Sequence, residues 1–285
     1  MLEEKTFNTG QININYVELG SGPPLLLLHG HSHSYLSFIS MIPTLSTYYH
    51  VYALDFRGHG KSDRTPGKYS ILDMTGDIIT FIQQVIKEPT HIYGHSGGGL
   101  FTLVLNAEIP HLVKSIIFAD PSIFFHSLKD NAALMYYWNN LIIPFAGSSV
   151  DIFALIDLMG EIEFNVGEKK IKYIDIEPLK SRINNAQSLK LLDPDFAHYL
   201  FEKFDESVFG YDPEKCLSLV KCPVLIIQAD PQVSSLFTTE MVDKIKKDFI
   251  PQALVYTLKG TGHLLHEINQ SEILELMLRF LSTLD

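Results

Sequence analysis

Thr90-His91-Ile92-Tyr93-Gly94-His95-Ser96-Gly97-Gly98-Gly99-Leu100 is the stretch that decides how the chain folds. Residues 94–98 spell G-x-S-x-G. The four residues before them, Thr90 to Tyr93, are rich in β-branched and aromatic side chains and read as a buried strand. From Gly98 onward Leu100, Leu103, Val104 and Ala107 recur at helical spacing, and Pro110 stops the run. A serine at such a junction sits on a sharp turn with its Oγ exposed, and the glycines let the two backbones pass closely. Glycine spacing alone is a weak signal at average glycine usage; the strand before and the helix after give it weight. A serine that merely caps a helix in a Gly-rich turn is the plain structural alternative. Partners elsewhere in the chain decide between the two.

Working outward, strands and helices alternate. Gln11 to Glu18 alternates in period two, as an antiparallel entry strand would. Gly20-Ser21-Gly22-Pro23-Pro24 is a turn, and Leu25 to Leu28 is an apolar run suited to a strand buried on both faces. Further strands are expected at His50–Leu54, Lys114–Ala119, Pro223–Ile227 and Ala253–Leu258. Met74, Ile78, Phe81, Ile82 and Val85 share one helical face, and Ile268 to Leu281 closes the chain as an amphipathic helix. This alternation predicts an α/β fold, a mostly parallel sheet with helices on both faces. It breaks between about Ser122 and Leu219, where helix formers and aromatics replace strands. The expected organisation is therefore a core over 1–121, a helical cap over 122–219 and the rest of the core over 220–285.

Composition narrows the function. The chain has 285 residues, 46% hydrophobic and 19% charged, which is ordinary globular usage. Its formal charge is −11, and no Lys/Arg cluster exceeds short pairs such as Lys246-Lys247, so neither nucleic acid nor a membrane surface is an expected partner. The first residues, Met1-Leu2-Glu3-Glu4-Lys5, carry no apolar signal segment, and no apolar run approaches the roughly 18–20 residues of a membrane span. Cys216 and Cys222 read as two reduced thiols, consistent with a cytoplasmic setting. Gly97-Gly98-Gly99 lacks the Lys-Ser/Thr of a phosphate loop. His29-x-His31-x-His33 lacks a cysteine or carboxylate companion for zinc. No metal and no cofactor are expected.

Five segments together carry a resemblance. His29-Gly30-His31 follows one strand, and Asp55-Phe56-Arg57-Gly58-His59-Gly60-Lys61-Ser62-Asp63 follows the next. The turn at Ser96, Gln228-Ala229-Asp230-Pro231 after a late strand, and Gly260-Thr261-Gly262-His263 near the end complete the set. In this order and spacing the chain resembles the α/β-hydrolase superfamily over nearly its whole length, as a core with a helical cap.

The resemblance implies a catalytic triad. A serine hydroxyl is a poor nucleophile near neutral pH and needs a base, for which imidazole is suited. Ser96 is the expected nucleophile and His263 the expected base, with His266 its local competitor. The acid that orients the histidine is expected at Asp230, after the strand ending near Ile227; Asp120, after the strand ending at Ala119, is the alternative. The family's oxyanion hole maps onto the backbone N–H groups of His31 and Gly97. His29, His59 and His95 belong to structural turns. The aromatics Phe124, Tyr136, Tyr137 and Trp138 are expected to roof an apolar substrate pocket.

The implied activity is cofactor-free hydrolysis of a carboxylic ester or related acyl bond of a small apolar substrate through an acyl-enzyme. Relatives that open epoxides or remove halogens carry an aspartate at the position of Ser96, which speaks against both. A receptor-like protein with slow hydrolysis, a C–C bond hydrolase, an acyltransferase and a haloperoxidase-like esterase remain alternatives on the same residues. The oligomeric state is not legible.

Overall fold

A computed structural model describes residues 2–129, 131–166 and 169–284. Eight strands form the main sheet: β1 (Glu4–Asn8), β2 (Asn13–Leu19), β3 (Pro24–Leu28), β4 (His50–Leu54), β5 (Thr90–His95), β6 (Val113–Ala119), β9 (Val224–Ala229) and β10 (Leu254–Leu258). Their spatial order is β1-β2-β4-β3-β5-β6-β9-β10. Pairing is antiparallel between β1 and β2 and between β2 and β4, and parallel from β4 to β10. The edge strand β1 was not legible, because Glu-Lys-Thr-Phe-Asn is polar and only its alternate residues are covered.

The central strands show why their sequences are continuously apolar. Leu26, Leu28, Ile92, Ile116 and Phe118 face one core, while Leu25, Leu27, Tyr93, Ile117 and Ala119 face the other. A strand covered by helices on both sides must bury both sets. The helices flanking the sheet include α1 (Ile71–Phe81) and α2 (Gly97–Glu108). Ser70 and Asp73 form a reciprocal capping box at the start of α1.

Between β6 and β9 the chain departs from the sheet. It forms an unbroken helical run over 132–145 with a π turn at Trp138–Ile142, then α3 (Ile152–Gly160), a two-stranded hairpin of β7 (Glu163–Val166) and β8 (Lys169–Lys172), α4 (Leu179–Leu191), α5 (Pro194–Glu202) and α6 (Pro213–Ser218), with short single turns between them. The hairpin breaks the expectation of an all-helical segment. The chain then returns through α7 (Thr239–Asp248), α8 (Leu265–Ile268) and α9 (Gln270–Leu281). No helix of the described residues is long and apolar enough to cross a membrane.

The strand order turns back between β3 and β5, so the loops leaving their C-terminal ends diverge and open a crevice. The loop after β4 is fixed from below. Arg57 is buried and pairs with Asp77 of α1, Nε to Oδ2 at 2.5 Å and Nη2 to Oδ1 at 2.9 Å. Asp55 accepts from Tyr35 N, Lys61 N and Asn15 Nδ2, which ties the segments after β3 and β4 and the strand β2 to one carboxylate. The Asp55–Asp63 motif is thus a brace for the crevice.

Candidate active site

Ser96 lies between β5 and α2 with φ 50° and ψ −117°, a sparsely populated conformation for a residue with a side chain. Close packing enforces it. A Cβ on Gly98 would sit 2.2 Å from the Leu28 carbonyl oxygen, and one on Gly94 would sit 2.5 Å from the Gly98 carbonyl oxygen. Only glycine lets the helix start pass over β3 at that distance. The Ser96 backbone is held on both sides: its N–H donates to Ala119 O at 3.1 Å and its carbonyl accepts from Ser122 N at 3.0 Å. The residue is 8% exposed.

His263 stands on the turn after β10, and its Nδ1 donates to Asp120 Oδ2 at 2.6 Å. Asp120 is completely buried at the end of β6. It also accepts from Ala229 N at 3.2 Å, Ser235 Oγ at 2.6 Å and Leu236 N at 3.0 Å. Bonding of this kind aims a buried carboxyl group. The expectation that Asp230 partners the histidine is therefore corrected. Asp230 closes its own turn instead, accepting from Gln232 N at 2.9 Å and Gly260 N at 2.7 Å. Those N–H groups, led by that of Gly260, hold its carboxyl below the usual range. Asp230 shapes the turn that carries His263 from outside, while Asp120, the residue directly after β6, meets the ring.

His266, the local competitor, is buried; its Nδ1 lies 3.2 Å from Tyr93 Oη, and burial pushes its pKa down to about 3. Such a ring remains neutral and inside, while the His263 side chain keeps 21% exposure. His29 and His59 occupy loops, while His95 is the last residue of β5. His29 Nε2 accepts from Phe56 N at 3.2 Å, and His59 Nε2 accepts from Ser32 N at 3.3 Å. His95 has a more specific contact: its Nε2 donates to the His263 carbonyl at 2.8 Å, and burial holds its pKa well below the ordinary value.

Residues 31 and 97 come together. A Cβ on Gly97 would lie 2.6 Å from the His31 ring. Gly97 opens α2, where the first N–H groups lack intrahelical acceptors. The His31 ring itself packs among Phe101, Phe125 and Phe196, at centroid distances of 5.7, 5.6 and 5.9 Å. Burial lowers its pKa to about 3, so it is a neutral wall.

The expected aromatic roof divides. Trp138 is 4% exposed and donates to the Ala197 carbonyl at 2.7 Å, so it packs the helical segment internally and is not available to line a pocket. Tyr136 is 39% exposed and packs on Phe164. Phe124 packs on the apolar core, and its carbonyl accepts from Ser127 Oγ at 2.7 Å. Tyr137 faces the carboxyls of Glu177 and Glu267, and burial raises its pKa. The ring contacts of His31 with Phe101 and Phe125 bring two aromatic side chains beside Gly97. The buried polar side chains of α4 and α8, among them Asn184, Asn185 and Glu267, were not legible in the sequence, because buried polar residues follow no apolar period.

An alpha/beta hydrolase fold family model matches residues 23–270 of the chain. Among curated proteins, the chain is 33% identical over 111 residues to a 2-(acetamidomethylene)succinate hydrolase of Mesorhizobium japonicum, covering 39% of this chain and 40% of that protein. It is 30% identical over 144 residues to a fluoroacetate dehalogenase of Burkholderia sp, covering 48% of this chain and 47% of that one. The chain thus spans about half or less of the length of these curated relatives. Among solved structures, an E-2-(acetamidomethylene)succinate hydrolase superimposes with a TM-score of 0.74 at 22% identity, covering 99% of this chain and 100% of the other. A bromoperoxidase from Bacillus anthracis gives 0.73 at 22% identity, covering 98% and 100%. With the sheet order, the turn at Ser96 and a family model spanning most of the sequence, this chain belongs to the alpha/beta hydrolase fold family.

Proposed function

We propose that the chain is a serine hydrolase that cleaves an ester or related acyl bond with Ser96, His263 and Asp120. The observation that carries this reading is the 2.6 Å bond between His263 Nδ1 and Asp120 Oδ2, with Ser96 on the turn directly after β5. That bond fixes the tautomer in which Nε2 is free to accept a proton.

The mechanism follows from these positions. Ser96 Oγ attacks the acyl carbon while His263 Nε2 takes its proton. The carbonyl oxygen becomes an oxyanion and receives hydrogen bonds from the N–H groups of Gly97 and His31; losing one such donor costs on the order of 3–4 kcal/mol. Asp120 stays ionised and stabilises the imidazolium. Collapse breaks the bond to the leaving group, which takes the proton from His263. Water then attacks the acyl-enzyme, with His263 again as base, and Ser96 is released.

A serine at position 96 supports acyl chemistry over the carboxylate-nucleophile chemistry implied for epoxide- and halide-processing relatives. The test is labelling with a fluorophosphonate, followed by mass spectrometry of the peptide holding Ser96. Stoichiometric modification of Ser96 with a burst of product from an activated ester is the expected result. Labelling elsewhere, or turnover that survives Ser96→Ala, refutes the assignment.

A further inference from the structure

The donors on Asp120 come in two matched pairs. Oδ1 accepts from Ala229 N at 3.2 Å and from Ser235 Oγ at 2.6 Å. Oδ2 accepts from Leu236 N at 3.0 Å and from His263 Nδ1 at 2.6 Å. Each oxygen therefore holds one backbone N–H and one short side-chain donor, and Ser235 stands opposite His263 across the same carboxyl group.

A serine hydroxyl has one proton to give. Two acceptors lie within reach of Ser235 Oγ: Asp120 Oδ1 at 2.6 Å and the Phe237 carbonyl at 2.9 Å. The Phe237 carbonyl already accepts from Gln228 Nε2 at 2.8 Å. Gln228 cannot turn its amide over, because its Oε1 accepts from Thr257 Oγ1 at 2.9 Å and would otherwise face the carbonyl. The shorter contact and the carboxyl partner both send the Ser235 proton to Asp120.

The segment that carries Ser235 also flanks the histidine. Asp230 N donates to Thr261 O at 2.8 Å, and Gly260 N donates to Asp230 Oδ2 at 2.7 Å. A Cβ on Gly262, the residue before His263, would lie 3.5 Å from Ser234 Cβ and 3.6 Å from Val233 Cγ1. Residues 230–237 thus bracket the acid and the base of the triad together, although none of them meets Ser96.

We propose that Ser235 is a positioning residue of the triad: its hydroxyl, directed by Gln228, shares the charge of Asp120 with His263 and so sets how readily His263 takes up and releases the Ser96 proton. The proposal rests on the serine-hydrolase reading. A carboxylate bonded at Oδ1 attracts an imidazolium at Oδ2 less strongly than one left bare there. The histidine then hands its proton to the leaving group more easily and is free to act as base at lower pH. The other ionisable groups around His263 do not compete for this effect. His95 stands 4.8 Å from it between ring centroids, and burial holds His95, His33 and His266 neutral, the last two at about 4 and about 3. Glu267, pushed up to about 8 by burial, bonds Asn184 and titrates on the alkaline side. On the turn itself Lys259 lies against Asp230, whose carboxyl the Gly260 and Gln232 N–H groups hold low.

The test follows the rate at which a fluorophosphonate modifies Ser96, read on its peptide by mass spectrometry, from about pH 5 to about pH 9, beside kcat/KM on an activated ester. In Ser235→Ala the midpoint of the acid limb is expected to move up by about half a unit to one unit, with the plateau rate within about threefold of the parent. Ser235→Thr, which keeps the hydroxyl, restores the midpoint. Gln228→Leu keeps Ser235 but frees the Phe237 carbonyl to claim its proton, and moves the midpoint the same way by a smaller amount. Asp230→Asn loosens the same segment without touching that proton, and lowers the rate without raising the midpoint. Thermal unfolding confirms that each variant is folded at the assay temperature. An unmoved midpoint in folded Ser235→Ala or Gln228→Leu, or an equal rise in Asp230→Asn, overturns the inference and leaves the hydroxyl a part of its loop only. A parent protein whose Ser96 is not modified refutes the hydrolase reading itself, and the inference with it.

Discussion

Asp120→Asn is the most informative single change. Both carboxylate oxygens accept from a backbone N–H, Oδ1 from Ala229 and Oδ2 from Leu236. Wherever the amide nitrogen of an asparagine is placed, a donor faces a buried donor. That clash costs about 1–3 kcal/mol of stability. If the nitrogen takes the Oδ2 position, it also faces His263 Nδ1 and forces the other tautomer, with Nε2 protonated and unable to act as base. If it takes the Oδ1 position, the histidine keeps an acceptor but the charge that steadies the imidazolium is gone. Either way the loss in kcat is about 10³–10⁴-fold, which is about 4–5.5 kcal/mol in the barrier at 1.36 kcal/mol per tenfold. Asp230→Asn retains an acceptor for Gly260 N or Gln232 N and should cost less than about tenfold, through looser placement of the turn at His263. The assay is kcat on an activated ester for both variants, with thermal unfolding to confirm that each is folded at the assay temperature. A larger kcat loss in Asp230→Asn, or an Asp120→Asn enzyme within tenfold of the parent, would refute the reasoning.

Three further outcomes are expected. His95→Phe removes the donor to the His263 carbonyl and should lower kcat by about tenfold or more with KM little changed, while His95→Gln, which retains a side-chain N–H, recovers most of it; equal losses in both would show that the ring only fills space. Burial raises the folded-state pKa of Glu267 from 4.5 to about 8, so the protonated form favours the fold: its contribution is complete below about pH 4.5 and is lost as pH rises through about 8. Tm should fall across that window and flatten in Glu267→Gln, and an unchanged pH slope in the variant would contradict this. Gly98→Ala places a methyl against two backbone carbonyls that cannot yield, and should destabilise by about 3 kcal/mol in chemical denaturation, with no loss if the approach of α2 to β3 is looser than described.

Much of the fold was readable because its signals are local. Leu25–Leu28 and Lys114–Ala119 could only be strands buried on both faces, and the glycines around Ser96 fixed a strand-to-helix junction within five residues. The choice between Asp120 and Asp230 was not local. Each follows a strand, β6 and β9 are sheet neighbours, and the outcome depends on how the His263 turn folds back between them. One signal was present: Asp230-Pro231-Gln232 suits a carboxylate that accepts from its own backbone two residues on, which occupies it. The buried polar face of α4 was hidden for a different reason. Asparagines and serines in a helix read as a solvent face, and only the covering loop after β3 and the helix α8 make them interior. The edge strand β1 escaped because it is polar and only its alternate residues are covered.

Ser32, Ser96 and Asp120 all stand at positive φ, at 67°, 50° and 42°, and each is a residue with a side chain. Conformations of this kind cost on the order of 1–3 kcal/mol apiece. Evolutionary drift therefore runs downhill away from catalysis: glycine at position 96 relieves the backbone and deletes the nucleophile in one step. A lineage released from selection for turnover would gain stability by losing it, and would keep the sheet and the crevice while doing so. On the proposed role of Ser96, relief of backbone strain and loss of the nucleophile coincide at one position, so stability and turnover pull that residue in opposite directions.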